Sequence, residues 1–125
     1  MKVLLVEDNE LNMEIARFML ENEGMEVTVA FNGKEAVETF ATSEENQFDL
    51  ILMDIMMLIM DGLTAARKIR AMKWKDAQKI PIFAMTANAF TDDIKASYKA
   101  GMNEHLSKPL DAEKMLRTIR QYVTQ

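Results

Sequence analysis

Four groups of residues in this chain are of types that could do chemistry together. Asp54 lies within Leu50-Ile51-Leu52-Met53-Asp54-Ile55-Met56-Met57-Leu58-Ile59-Met60, where ten of eleven residues are apolar. A carboxylate in such a stretch is costly unless it is paired or metal-bound. Glu7-Asp8 directly follows the apolar run Val3-Leu4-Leu5-Val6, Thr86-Ala87 follows a second such run, and Lys108 precedes Pro109. Two carboxylates ~5 Å apart repel by about 3 kcal/mol at an effective dielectric near 20, so three together call for a cation. All-oxygen ligands suit a hard ion, Mg²⁺ first and Mn²⁺ or Ca²⁺ after it. Lys108 would clamp phosphate oxygens, Thr86 would offer a hydroxyl, and the small Ala87 would leave room for a group on Asp54. The chemistry open to this set is attack of a carboxylate on a phosphoryl group, giving an acyl phosphate by positioning and charge neutralisation.

Each residue also has a plain structural reading. Asp54 would mark a strand end, the acidic pair would face water, Thr86 would end a strand, and Lys108 would be a solvated surface lysine. Their convergence decides between the two, and convergence depends on the elements that carry them. Short apolar, β-branched runs at 2–6, 26–31, 48–53, 80–85 and 104–107 read as strands. Segments of helical spacing separate them: Leu11, Ile15, Phe18 and Met19; Ala36, Val37, Phe40 and Ala41; Leu63, Ala66, Ile69 and Arg70; Ala89, Phe90, Ile94, Tyr98 and Ala100; Leu116, Ile119 and Val123. Gly24 and Gly101 fall where helices should stop, Asn32-Gly33 reads as a turn, and Asp111 can cap the last helix. Five βα units predict an α/β fold, a doubly wound parallel sheet with helices on both faces. Ligands of such sheets bind beyond the carboxyl ends of the strands. Glu7-Asp8, Asp54, Thr86 and Lys108 all follow predicted strands, so the topology gathers them at one edge.

Composition narrows the alternatives. The 125 residues predict one domain over 1–125, with 49% apolar and 28% charged residues suited to a packed soluble core. With no cysteine and one histidine, His105, disulfides, thiolate chemistry and multi-His metal cages are excluded. A net charge of −5 without a basic cluster disfavours nucleic acid. No apolar run reaches the roughly 20 residues that span a bilayer, and early acid argues against a signal peptide, so the expectation is a cytoplasmic protein without membrane contact. Neither G-x-G-x-x-G nor G-x-x-x-x-G-K-[ST] occurs.

At these residues the sequence resembles the receiver domain of two-component response regulators, along its whole length. The family pattern is an acidic pair after strand one, a phosphoacceptor Asp after strand three, Ser/Thr-Ala after strand four and Lys-Pro after strand five. Glu7-Asp8, Asp54, Thr86-Ala87 and Lys108-Pro109 match it in order and spacing. The resemblance implies a flavodoxin-like sheet of order 2-1-3-4-5 with five helices. It implies Mg²⁺-dependent transfer of phosphoryl from a phosphohistidine to Asp54, with Mn²⁺ as a substitute. Asp8, Asp54 and the Met56 carbonyl would bind the metal, and Glu7 would act through water. Thr86 and Lys108 would bind phosphoryl oxygens. Thr86 would then move toward the phosphoryl group and the strand-five aromatic would turn inward, switching the face of helix 4, strand 5 and helix 5. The partner would be a sensor histidine kinase or a histidine phosphotransfer protein, with Leu11, Asn12 and Ile15 as docking candidates, although core packing is the default for the two apolar residues. Leu5 to Asn12 and Met102 to Leu110 look most like receivers attached to hybrid histidine kinases. With no output domain after the last helix, the expectation is a free-standing receiver or one cut from a larger protein; homodimerisation stays open.

Two departures from the family pattern stand out. Met57 is followed by Leu58 where the family usually has proline, which frees the loop backbone near the metal. His105 occupies the aromatic-switch position, which adds a pH response; a partly exposed strand-end histidine is the equal alternative. Met56 cannot orient an attacking water and Asn88 does so weakly, so the phosphorylated state is expected to last minutes or longer. Met53, Met57 and Met60 read as core filler. Two rivals remain: an aspartyl-nucleophile phosphatase of the haloacid-dehalogenase kind, which usually has a second Asp where this chain has Met56, and a non-phosphorylated binding module, which predicts erosion of the acids or the lysine.

Overall fold

The computed structural model describes residues 1–73, 75–87 and 91–123. Five strands alternate with helices: β1 (Lys2–Val6), α1 (Glu10–Glu21), β2 (Glu26–Ala30), α2 (Gly33–Ala41), β3 (Leu50–Asp54), α3 (Gly62–Arg70), α4 (Lys75–Lys79), β4 (Ile82–Thr86), α5 (Thr91–Lys99), β5 (Glu104–Ser107) and α6 (Ala112–Tyr122). All four pairings are parallel and the order is β2-β1-β3-β4-β5. The fold is the expected doubly wound, flavodoxin-like one, with six helices among the described residues rather than five. The extra helix, α4, is one turn and a half, too short to show a periodic signal; it buries Ala77. The predicted fourth and fifth helices are α5 and α6; Ala89 and Phe90 lie outside the described residues.

Alternation along each strand builds two cores. Val3, Leu5, Leu50, Leu52, Phe83 and Met85 face Met13, Ala16 and Leu20 of α1 and Met115 and Ile119 of α6. Leu4, Val6, Ile51, Met53, Ile82 and Ala84 face α2, α3 and α4. Every residue of β3 and β4 is buried, so these central strands read as unbroken apolar runs. β3 and β4 begin two residues later than predicted. Phe48 and Ile80 supply core contacts from the preceding turns without joining the ladder.

Capping sets the helix starts. Asn9, Asn32, Asp61 and Asp111 each accept main-chain N–H groups of the first turn. Asn32-Gly33, which reads as a turn in the sequence, is instead the N-cap and first residue of α2. Gly33 is needed there because a Cβ would stand 2.5 Å from the Met60 carbonyl oxygen. α1 corrects another expectation. Its buried stripe is Met13, Ala16 and Leu20, whereas Leu11, Ile15 and Phe18 are exposed. The helix carries two apolar stripes, and spacing alone does not say which meets the sheet.

Candidate functional site

β1 and β3 are neighbours, with Val6 opposite Met53, so residues just past Val6 meet the end of β3. This is where the chain reverses its direction of winding across the sheet. Ligands of open α/β sheets bind at such switch points, a rule drawn in part from receiver domains themselves. One carboxylate oxygen each from Glu7, Asp8 and Asp54 lies within 4.8 Å of the others. Glu7 and Asp54 are 2% and 5% exposed, while Asp8 is open to solvent.

Lys108 comes to the acids from the far side, after β5. Its Nζ donates to Glu7 Oε2 at 2.8 Å and to Asp54 Oδ2 at 3.0 Å. Its main-chain N–H donates to the Thr86 carbonyl at 2.9 Å, tying the end of β5 to the end of β4. The Lys108-Pro109 peptide is cis. Main-chain amides complete the set: Asn9 N–H donates to Glu7 Oε1 at 3.3 Å, Met56 N–H to Asp54 Oδ1 at 3.3 Å, and Leu58 N–H to Asp8 Oδ2 at 3.4 Å. Close packing holds the end of β3 in place. A Cβ on Gly62 would collide with the Asp54 carbonyl oxygen, and Gly62 N–H donates to the Ile55 carbonyl at 2.8 Å.

Burial raises the Asp54 pKa from 3.8 to about 6; the Lys108 hydrogen bond opposes the rise and the Glu7 charge adds to it. Burial acts to lower the Lys108 pKa, but its hydrogen bonds to Glu7 and Asp54 outweigh that and raise it. One ammonium thus answers two of three acids. The remaining negative charge, the all-oxygen donor set and the convergence within 4.8 Å fit a hard divalent cation. They do not fit a soft one.

The structure brings Glu7, Asp8, Asp54 and Lys108 together. Thr86 is buried at the end of β4, opposite Ser107 in the ladder. His105 pairs with Ala84, so its side chain is on the same side of the sheet as that of Thr86; its Nδ1 is buried without a hydrogen-bond partner. Met56 is 72% exposed. Met53 is core, and Met57 and Met60 pack against it half-buried, as expected. Asn88 and Trp74 lie outside the described residues. Sequence reasoning missed the Leu58 amide as a partner of Asp8, and no residue-type signal marks a main-chain donor. A groove of 390 Å³ opens beside the acids, lined by Glu7, Asn12, Ile15, Met85, Lys108 and Leu110 among others.

A family model described as the response regulator receiver domain matches residues 3–120, and the chain belongs to that family. It is therefore a signalling domain of the two-component type. It is 35% identical to the receiver domain of a sensor histidine kinase from Pseudomonas aeruginosa, crystallised with a magnesium ion coordinated in its active-site cleft. That match covers 99% of this chain and 98% of that one, with a TM-score of 0.88. It is 27% identical to the receiver domain of the Saccharomyces cerevisiae response regulator Ssk1, solved with the histidine phosphotransfer protein Ypd1. That match covers 98% of this chain and 88% of that one, with a TM-score of 0.85. Over 122 residues it is 39% identical to hybrid signal transduction histidine kinase M of Dictyostelium discoideum, covering 97% of this chain and 5% of that protein. The chain spans a sixth or less of such curated histidine kinases. Among the described residues no helix is long and apolar enough to cross a membrane.

Proposed function

We propose that residues 1–125 act as one phosphoacceptor unit in which Asp54 takes a phosphoryl group from a phosphohistidine. An Asp54 carboxylate oxygen attacks phosphorus as the P–N bond breaks, and the bonding pair leaves on the imidazole nitrogen. The product is a mixed acyl phosphate. With a pKa of about 6, Asp54 is mostly ionised at neutral pH and able to attack. Lys108 Nζ, already 3.0 Å from Asp54 Oδ2, moves from carboxylate to phosphoryl oxygens. The Thr86 hydroxyl takes another oxygen. Mg²⁺, or Mn²⁺ in its place, held by Glu7, Asp8, Asp54 and the Met56 carbonyl, would neutralise charge on the acids and the phosphoryl group. The observation that carries this reading is the Lys108 ammonium bridging Glu7 and Asp54 with Asp8 alongside.

The donor is a sensor histidine kinase or a histidine phosphotransfer protein in the cytoplasm. Leu11, Asn12 and Ile15 are exposed on α1, Asn12 and Ile15 line the groove, and this is the surface on which it docks. Output passes from Thr86 through His105 to the α5, β5 and α6 face. The domain assists its own phosphorylation and has no turnover substrate; the phosphatase reading is weakened by Met56, whose thioether cannot serve as the second acid. The modified state lasts minutes or longer, because Met56 offers no group to orient water.

Incubation with acetyl phosphate, with and without Mg²⁺, followed by intact mass, tests the assignment. One added phosphoryl group is expected, only with metal, and none in Asp54→Asn. Metal-independent labelling, or labelling of Asp54→Asn, would overturn it.

A further inference from the structure

The connection from β3 to α3 has an unusual backbone. Met60 N–H donates to the Leu58 carbonyl at 2.8 Å, and Ile59 between them has a φ of +73°. A hydrogen bond from residue i+2 back to residue i around a positive φ defines the rare, strained γ-turn. For a β-branched residue that φ is an outlier, and Ile59 is 78% exposed, so burial does not offset the strain. The turn is held from both sides. Gly33 N–H donates to the Met60 carbonyl at 3.1 Å, and Gly62 N–H to the Ile55 carbonyl at 2.8 Å.

The amide just ahead of the turn, that of Leu58, donates to Asp8 Oδ2 at 3.4 Å. Among the described residues this is the only hydrogen bond given to the Asp8 carboxylate. Lys108 answers Glu7 and Asp54 but does not reach Asp8. Exposed and repelled by two neighbouring acids, Asp8 is expected to swing into water, yet it stays within 4.8 Å of both. A carboxylate bound to an N–H through one oxygen keeps its other oxygen for a cation. We propose that the Leu58 main-chain amide, next to the strained turn at Ile59, is a positioning group that holds Asp8 in its metal-binding arrangement before a cation arrives. The inference rests on reading Glu7, Asp8 and Asp54 as a Mg²⁺ site. A proline at 58, usual in the receiver pattern, has no N–H and cannot do this. The leucine therefore replaces a rigid residue with a donor.

Calorimetric titration with Mg²⁺ tests the proposal on four proteins of residues 1–125: the parent, Leu58→Ala, Leu58→Pro, and a semisynthetic chain in which Leu58 is replaced by its α-hydroxy acid. In the last, an ester oxygen replaces the N–H and the side chain is kept. Leu58→Ala keeps the amide and should bind within about twofold of the parent. The two proteins without the donor should bind about tenfold more weakly, the usual scale for losing a partner of a metal ligand. Circular dichroism checks the fold, and if Leu58→Pro does not fold, the ester chain decides alone. An ester chain that binds as tightly as Leu58→Ala overturns the positioning role and leaves the metal site standing. A parent protein that binds no Mg²⁺ overturns both.

Discussion

Asp54 is buried at the mouth of β3, and that burial raises its pKa from 3.8 to about 6. A carboxyl whose pKa is higher in the folded chain than in the unfolded one favours folding when protonated. The contribution is full below about pH 4 and is lost as pH rises through about 6. Asp54→Asn, which is uncharged at all pH, should be the more stable protein at pH 8 without divalent metal, by an amount on the order of 2 kcal/mol. The difference should vanish below pH 4. Urea unfolding in chelator at the two pH values measures this, and an equal gap at both would exclude a buried-charge origin. Lys108→Met should act in the opposite sense, since it leaves Glu7 and Asp54 without their cation. A loss of about 3 kcal/mol at pH 8, shrinking on acidification, is the expected result in the same assay. The proposed acceptor was legible from residue types alone, because a single acid among ten apolar neighbours is too costly to keep without a charged partner. The Leu58 amide was not, because every residue but proline carries the same donor and only backbone direction distinguishes one from another.

Among the elements, the β3–α3 connection and α1 departed furthest from sequence expectation. A left-handed φ costs an L-residue about 1–2 kcal/mol, and glycine avoids it at some entropic cost. Ile59→Gly should therefore stabilise the fold by about 0.5–1 kcal/mol, read as a shift of the urea midpoint; destabilisation would mean that the turn is not strained. Gly62→Ala should do harm, because its Cβ meets the carbonyl oxygen of Asp54 and main chain cannot step aside. A loss of about 1–3 kcal/mol is expected. Slower labelling by acetyl phosphate should accompany it, because the displaced atom belongs to the proposed acceptor. In α1, helical spacing predicts a core stripe through Leu11, Ile15 and Phe18, but the structure exposes these three and buries Met13, Ala16 and Leu20. Periodicity reports that a helix has an apolar face. Which of two such faces meets the sheet depends on the angle at which Asn9 starts the helix after β1.

For the whole molecule, the cluster of acids and its lysine joins the first residues past β1 to the first past β5. Glu7 and Lys108 are 101 positions apart. Anything that binds the cluster therefore stabilises the entire sheet. At a Mg²⁺ concentration of about 100 times the dissociation constant, unfolding should become harder by about 2.7 kcal/mol. Denaturant melts with and without the metal measure this, and Asp8→Asn should lose most of the effect. A metal-independent melt would separate the site from the fold's stability. The acids repel without a cation, so the same arrangement that suits binding also lowers the stability of the metal-free protein.

Strand–helix alternation, the buried character of β3 and β4 and the placing of Glu7, Asp8, Asp54, Thr86 and Lys108 at or just past strand ends were all written in residue order. Hydrophobic period and helix-breaking residues are local signals, and a parallel sheet sends every strand end to the same edge. What only the tertiary structure decided was non-local or set by an unexpected backbone angle: the contact of Lys108 with Glu7 and Asp54, the solvent-facing stripe of α1, the γ-turn at Ile59, and the Leu58 amide that meets Asp8. Each of these depends on the distance and direction between segments far apart in the chain, or on a backbone angle that residue type disfavours, and neither quantity has a period to read.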